Sequence, residues 1–190
     1  MLVKSVLIEK REIKMKNELT NEERLVEIKK YWLKRKSMIN DENANKLNEL
    51  EIFKDKVAFE FKDGWNDLIY ELGKDIEDLC KLANCELPLI QQIKEKFGTL
   101  RFYYNTLNSQ YPKIIEKSIR ALVSQAENCS STICEQCGKF GETRVDGGLY
   151  KTVCEEHQGS SITVIEYEEI MRKHYEERRR AKEEVEQNPK

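Results

Sequence analysis

Four residues near the C-terminal end constrain this chain more than anything else in it. The stretch ICEQCGKFGETRVDGGLYKTVCEEH, residues 133–157, places Cys134, Cys137, Cys154 and His157 in a C-x2-C…C-x2-H pattern. Zinc prefers four tetrahedral thiolate and imidazole ligands, and two residues between ligands let one tight turn supply a pair. Gly138, directly after the first pair, is free to adopt the backbone angles that point amides at sulfur. Between the pairs, ETRV and LYKTV flank Asp146-Gly147-Gly148, a hairpin signal. Knuckle, hairpin, then a second pair where a helix can begin: this order predicts a treble-clef or zinc-ribbon-like module holding one zinc ion per chain.

The metal so predicted is structural. A catalytic zinc keeps a position open for water or substrate, and four protein ligands leave none. A deaminase would need a His-x-Glu pair upstream of its cysteines, and the other histidine, His174, lies downstream. The sequence carries no nucleophile with an adjacent base, no phosphate-binding glycine loop and no dinucleotide fingerprint. The chain is therefore read as non-enzymatic.

The rest of the sequence reads as helices around a small sheet. Charged residues make up 36% of the 190 and only 3 are proline, which suits a charged, helix-rich chain. Residues 1–40 carry 11 Lys and Arg against 6 Glu, whereas residues 41–87 carry 6 Lys against 13 acids. Net charge is −2, so no global nucleic-acid signature is present, and the asymmetry fits solvated helix faces. No apolar run reaches membrane-spanning length, and the start lacks the pattern of a signal peptide. With no export signal, the six cysteines point to a reducing cytoplasm rather than to disulfides.

Thr20 to Glu23 form a capping box, and a helix is expected to follow to about Ser37 with Leu25, Ile28, Tyr31 and Trp32 on one face. NDENAN, residues 40–45, reads as a linker or helix break; within 46–62, KLNELEIFKDK suits a helix and VAFEF a short strand. A helix is predicted over about 64–81, with Asp63 as its cap and Trp65, Leu68, Ile69, Leu72, Ile76 and Leu79 recurring at helical spacing. Trp65 is expected as a core anchor, and Cys80 and Cys85 as core thiols. Residues 88–97 fit either a helix ended by Gly98 or the first strand of a hairpin turning at Phe97-Gly98, with TLRFYY a strand in both cases. The hairpin is slightly favoured. Pro112 opens another helix to about Asn128, and a charged terminal helix carries Val164, Tyr167, Ile170, Met171 and Tyr175 on one side.

These elements define an α+β fold: amphipathic helices on a small antiparallel sheet, then the zinc module and the charged helix. The expected divisions are a basic helical extension (1–50), an α+β core (51–130), the zinc module (131–158) and the terminal helix (159–190).

Four residues offer a second candidate site. In the hairpin reading Lys94, Lys96, Arg101 and Tyr103 share a face, and such a cationic, aromatic-edged patch can hold phosphate or stack bases. The alternative, which is preferred, is a solvated strand face paired with Glu95 and Glu116. Cys129 is a spare thiol left outside the metal shell. The run Arg178–Arg180 is interleaved with glutamates and reads as a salt-bridged helix.

GWNDLIYEL, QIKEKFGTLRFYY, AENCSSTICEQCG and CEEH together resemble a family of small, uncharacterised bacterial and phage proteins. Its members carry Gly-Trp before a helix, a Q-[IV]-K-E-K-[FY]-G-x-L-R-[FY] block and a terminal C-x2-C…C-x2-H. The resemblance covers about residues 60–157 and implies the zinc module, a phage or mobile-element accessory role such as interference with a host defence protein, and location in the host cytoplasm. The expected partner is a protein, with a nucleotide or nucleic acid as the alternative, and with self-association through the terminal helix. No membrane partner is expected.

Overall fold

The computed structural model describes residues 38–54, 58–106 and 111–187, which belong to the second of two compact units, Ser37–Lys190. The first unit is Met1–Lys36, so the helix expected after Thr20 lies outside the described residues.

Helix α1 (Asp41–Asn48) occupies the segment that reads as a linker or break. Its three asparagines weaken a helix interior but suit a helix start. The Asn40 side chain accepts from the Asn43 amide at 2.9 Å, and Asp41 and Glu42 lie at the positive end of the helix dipole. Asp63 completes the cap from outside: its carboxylate accepts from the Asn40 amide at 2.9 Å and the Asn43 side chain at 2.8 Å. The residue expected to cap the next helix thus serves this one. Helix α1 stops at Asn48, and turns carry Leu50, Ile52 and Phe53 into the core.

Strand β1 (Phe59–Glu60) is only two residues long; a short 3-10 turn (Asp63–Trp65) then leads into helix α2 (Asn66–Leu82). Strands β2 (Leu89–Lys96) and β3 (Thr99–Asn105) form the hairpin, so this segment is strand and not helix. Phe97 and Gly98 turn it at φ 55° and 76°, as a two-residue loop with matched twist requires. The register is the expected one, Ile93 opposite Phe102 and Lys94 opposite Arg101. Strand β1 runs parallel to β2, with α2 as the crossover, so this sheet (order β1-β2-β3) is mixed rather than antiparallel. A two-residue strand before a helix leaves too little alternation for its direction to be read from sequence.

Helix α3 (Lys113–Ser130) packs on β3 and on α2. Between helices and sheet, Phe53, Phe59, Phe61 and Phe102 meet edge to face at centroid distances of 5.9 to 6.2 Å, alongside the fully buried Trp65, Ile69 and Ile76.

Strands β4 (Glu142–Asp146) and β5 (Leu149–Val153) turn at Gly147 and Gly148, and β6 (Ile162–Thr163) adds to β4, giving a second, antiparallel sheet of order β5-β4-β6. Helix α4 (Val164–Gln187) follows at once. Its start is a capping box that sequence reading passed over: Thr163 donates through amide and hydroxyl to Glu166, and the Glu166 amide returns a bond to the hydroxyl. Of the expected stripe, Tyr167 packs edge to face on Tyr150 at 6.1 Å, while Ile170 and Tyr175 are exposed. Among the described residues, no helix is long and apolar enough to cross a membrane.

Candidate metal centre

The first ligand pair sits on a tight turn closed by backbone bonds. Gly138 donates to the Cys134 carbonyl at 2.9 Å and Cys134 donates to the Lys139 carbonyl at 2.7 Å, with Gly138 at φ 76°. The second pair begins where β5 ends. Cys154 precedes a 3-10 turn (Glu155–His157), and the His157 amide donates to the Cys154 carbonyl at 3.0 Å, which folds the imidazole back toward the sulfurs.

The four side chains converge, with all ligand atoms within 4.8 Å of one another. Cys137 Sγ and Cys154 Sγ are 3.7 Å apart, and His157 Nδ1 lies 3.6 Å from Cys134 Sγ and 3.2 Å from Cys154 Sγ. A tetrahedron with metal–sulfur bonds of about 2.3 Å and a metal–nitrogen bond of about 2.05 Å has edges of about 3.8 and 3.6 Å. The Cys137–Cys154 and Cys134–His157 separations match these edges and the Cys154–His157 separation is shorter, so these four residues can hold a metal ion. Cys134 and Cys154 are buried and Cys137 is exposed, which places the site at the surface.

The electrostatics suit a cation. Burial alone would push the Cys134 thiol up, but backbone hydrogen bonds from Cys154, Gln136 and Cys137 outweigh it and draw it down to about 7. For Cys137, a backbone bond from Lys139 lowers the thiol, yet partial desolvation and the neighbouring Cys134 and Cys154 carry it above its ordinary value. Thiolates this close repel, and a divalent cation between them offsets that repulsion. Cys129 is exposed and stands outside the four-residue cluster.

The knuckle is seated on the N-terminal end of α2. The Gly64 amide donates to the Glu135 carbonyl at 2.9 Å, and the Trp65 indole donates to the Ile133 carbonyl at 2.8 Å. A Cβ on Gly64 would come within 2.6 and 2.7 Å of the Gly138 and Cys137 amide nitrogens, and closer still to the Cys134 carbonyl oxygen. Glu135, between the two cysteines, is buried and paired with Lys62. On the far side, the buried Thr152 hydroxyl donates to the Gly98 carbonyl at 2.6 Å, and Phe97 meets Tyr150 edge to face at 6.2 Å. The β2–β3 turn and the β4–β5 hairpin are thus bonded directly. Sequence reasoning missed Glu135, Thr152 and the contact made by Gly64; the Gly-Trp pair beside a helix start was the only local signal.

Lys94, Lys96, Arg101 and Tyr103 lie on the outer face of β2 and β3, as alternation requires. Lys94 Nζ sits 5.4 Å from the Tyr103 ring centroid, and Arg101 donates to Thr99 Oγ1 at 2.8 Å and to the Leu100 carbonyl at 2.7 Å. The acids expected as partners are engaged elsewhere: Glu95 accepts from the Gly98 amide and Glu116 pairs with Arg120. Glu60 lies in register with Lys94 on the neighbouring β1 and accepts from the Gln92 side chain at 3.2 Å.

No family model matches the chain, and neither a curated protein nor a solved structure matches it.

Proposed function

We propose that this is a non-enzymatic binding or adaptor protein whose structural zinc holds a treble-clef or zinc-ribbon-like module, residues 131–158, against an α+β core. The observation that carries this reading is the convergent donor set: three sulfurs and one imidazole nitrogen within 4.8 Å of one another. Three thiolates with one imidazole favour zinc among the common divalent ions, and four protein ligands leave it no position for substrate. The metal then supplies folding energy, and function falls to the surface that it stabilises. An accessory role in a phage or mobile element, directed at a host defence protein, follows from the resemblance of residues 60–157.

X-ray absorption at the zinc edge should report three sulfur neighbours and one nitrogen, with one zinc per chain by elemental analysis. A stoichiometric complex with one host protein, rebuilt from purified components and little changed by salt, would support the adaptor role. Turnover that survives extensive purification would overturn it.

A nucleotide or nucleic-acid partner is the second reading, favoured by Lys94, Lys96, Arg101 and Tyr103 sharing one outer face. Its mark would be affinity that falls steeply with salt. Glu60 among these cations weighs against it.

A further inference from the structure

Two cysteines outside the metal centre meet at the end of α2. The helix closes with Asn84 in the left-handed region, φ 50°. The Asn84 amide donates to the Lys81 carbonyl at 3.2 Å, and the Cys85 amide reaches back to the Cys80 carbonyl at 3.0 Å. This pair of bonds brings the side chain after the left-handed residue onto the one five positions earlier, a contact that is usually apolar. Here both residues are cysteines. Adding the covalent lengths on either side of the 85-to-80 hydrogen bond keeps their Cα separation at or below about 7 Å, the outer limit for a disulfide.

We propose that Cys80 and Cys85 form a dithiol site that a low-molecular-weight disulfide oxidises to an intramolecular disulfide. The two differ in access. Cys80 is core, whereas Cys85 is partly exposed at the core's rim. Burial, then the adjacent Cys85, push the Cys80 thiol up to about 12, which makes its thiolate scarce. Cys85 therefore reacts first. Its thiolate attacks one sulfur of the external disulfide, whose S–S bond breaks and releases one thiolate with the bonding pair. The Cys80 sulfur then attacks the Cys85 sulfur of the mixed disulfide, its proton passing to the second departing thiolate. Two protein thiols are oxidised by two electrons, and one external disulfide becomes two thiols. The product ties the end of α2 to the segment entering β2. This site is independent of the metal centre and of the function proposed above.

The test uses the full chain loaded with zinc, equilibrated with glutathione disulfide under native conditions, then alkylated and digested with trypsin without reductant. Cleavage after Lys74, Lys81 and Lys94 separates the two cysteines into residues 75–81 and 82–94. The expected product is these two peptides joined, released by reductant, with zinc still at one per chain and Cys129 alkylated or carrying glutathione. Cys85→Ser should abolish the joined product while leaving Cys80 unalkylated in the folded protein. Recovery of both peptides separately from folded, oxidised protein would overturn the proposal. So would joining seen only in urea, or oxidation confined to the zinc ligands with loss of metal.

Discussion

Gly64 and Glu135 are the residues through which the metal knuckle grips the core, and each makes a sharp prediction. The space that a side chain at Gly64 would need is filled by knuckle backbone, which cannot move without disturbing the ligands. Gly64→Ala should cost about 2–4 kcal/mol and lower zinc retention, measured by thermal melting and by elemental analysis after dialysis. Replacing Lys62 with Met leaves the buried Glu135 carboxylate without its cation. Because Lys62 is partly exposed, the loss should be about 1–2 kcal/mol, below the cost of breaking a fully buried pair. Cys134→Ser and Cys154→Ser should each abolish stoichiometric zinc and lower the melting temperature, whereas Cys129→Ser should leave both unchanged. The four-residue cluster was legible because ligand chemistry imposes its own spacing on the sequence. Glu135 was not, since an acid between two such cysteines reads as exposed until Lys62, 73 residues earlier, is brought beside it.

Elements with their own periodicity were legible, and elements closed by a distant group were not. The apolar spacing of 64–81 predicted α2 to within a turn, and alternation fixed which residues of β2 and β3 face outward. Helix α1 escaped because Asp63, a separate turn of chain, completes its cap. The same outer face of β2 and β3 offers a test at this scale. The Lys94→Ala/Arg101→Ala protein should melt a few degrees lower, since the ring contact to Tyr103 and the bonds to Thr99 and Leu100 are lost. Wild-type protein should bind no nucleotide or oligonucleotide in a fluorescence anisotropy titration. Binding with a steep salt slope would instead favour the nucleic-acid reading. Helix α4 should be separable in the same way. Beyond Tyr167, which holds it to Tyr150, its described side chains are exposed or only partly buried. Removing residues 174–190 should change the melting temperature by less than about 1 °C, and sedimentation of the two proteins then reports whether this helix sets the oligomeric state.

Among the described residues the metal module and the helical core are stitched at two places, the start of α2 and the Phe97-Gly98 turn. They should therefore unfold together. With Trp32 replaced by Phe, Trp65 is the one tryptophan left, and its emission should shift to the red when a chelator strips the zinc, in step with loss of far-ultraviolet circular dichroism. Loss of zinc with both signals unchanged would mean that the module is an appendage. This joining could not be read from either segment alone, because Trp65 and the Ile133 carbonyl that it reaches are 68 residues apart. That separation also has a meaning in time. A ribosome delivers Trp65, α2 and both strands of the first hairpin well before it delivers the knuckle, and Cys154 and His157 come later still. Until then the newborn core lacks the surface that closes it and stays open to proteases. On the zinc reading proposed above, closure then waits on an ion that the cell must supply, so scarcity of zinc would be felt as a lower abundance of the entire protein.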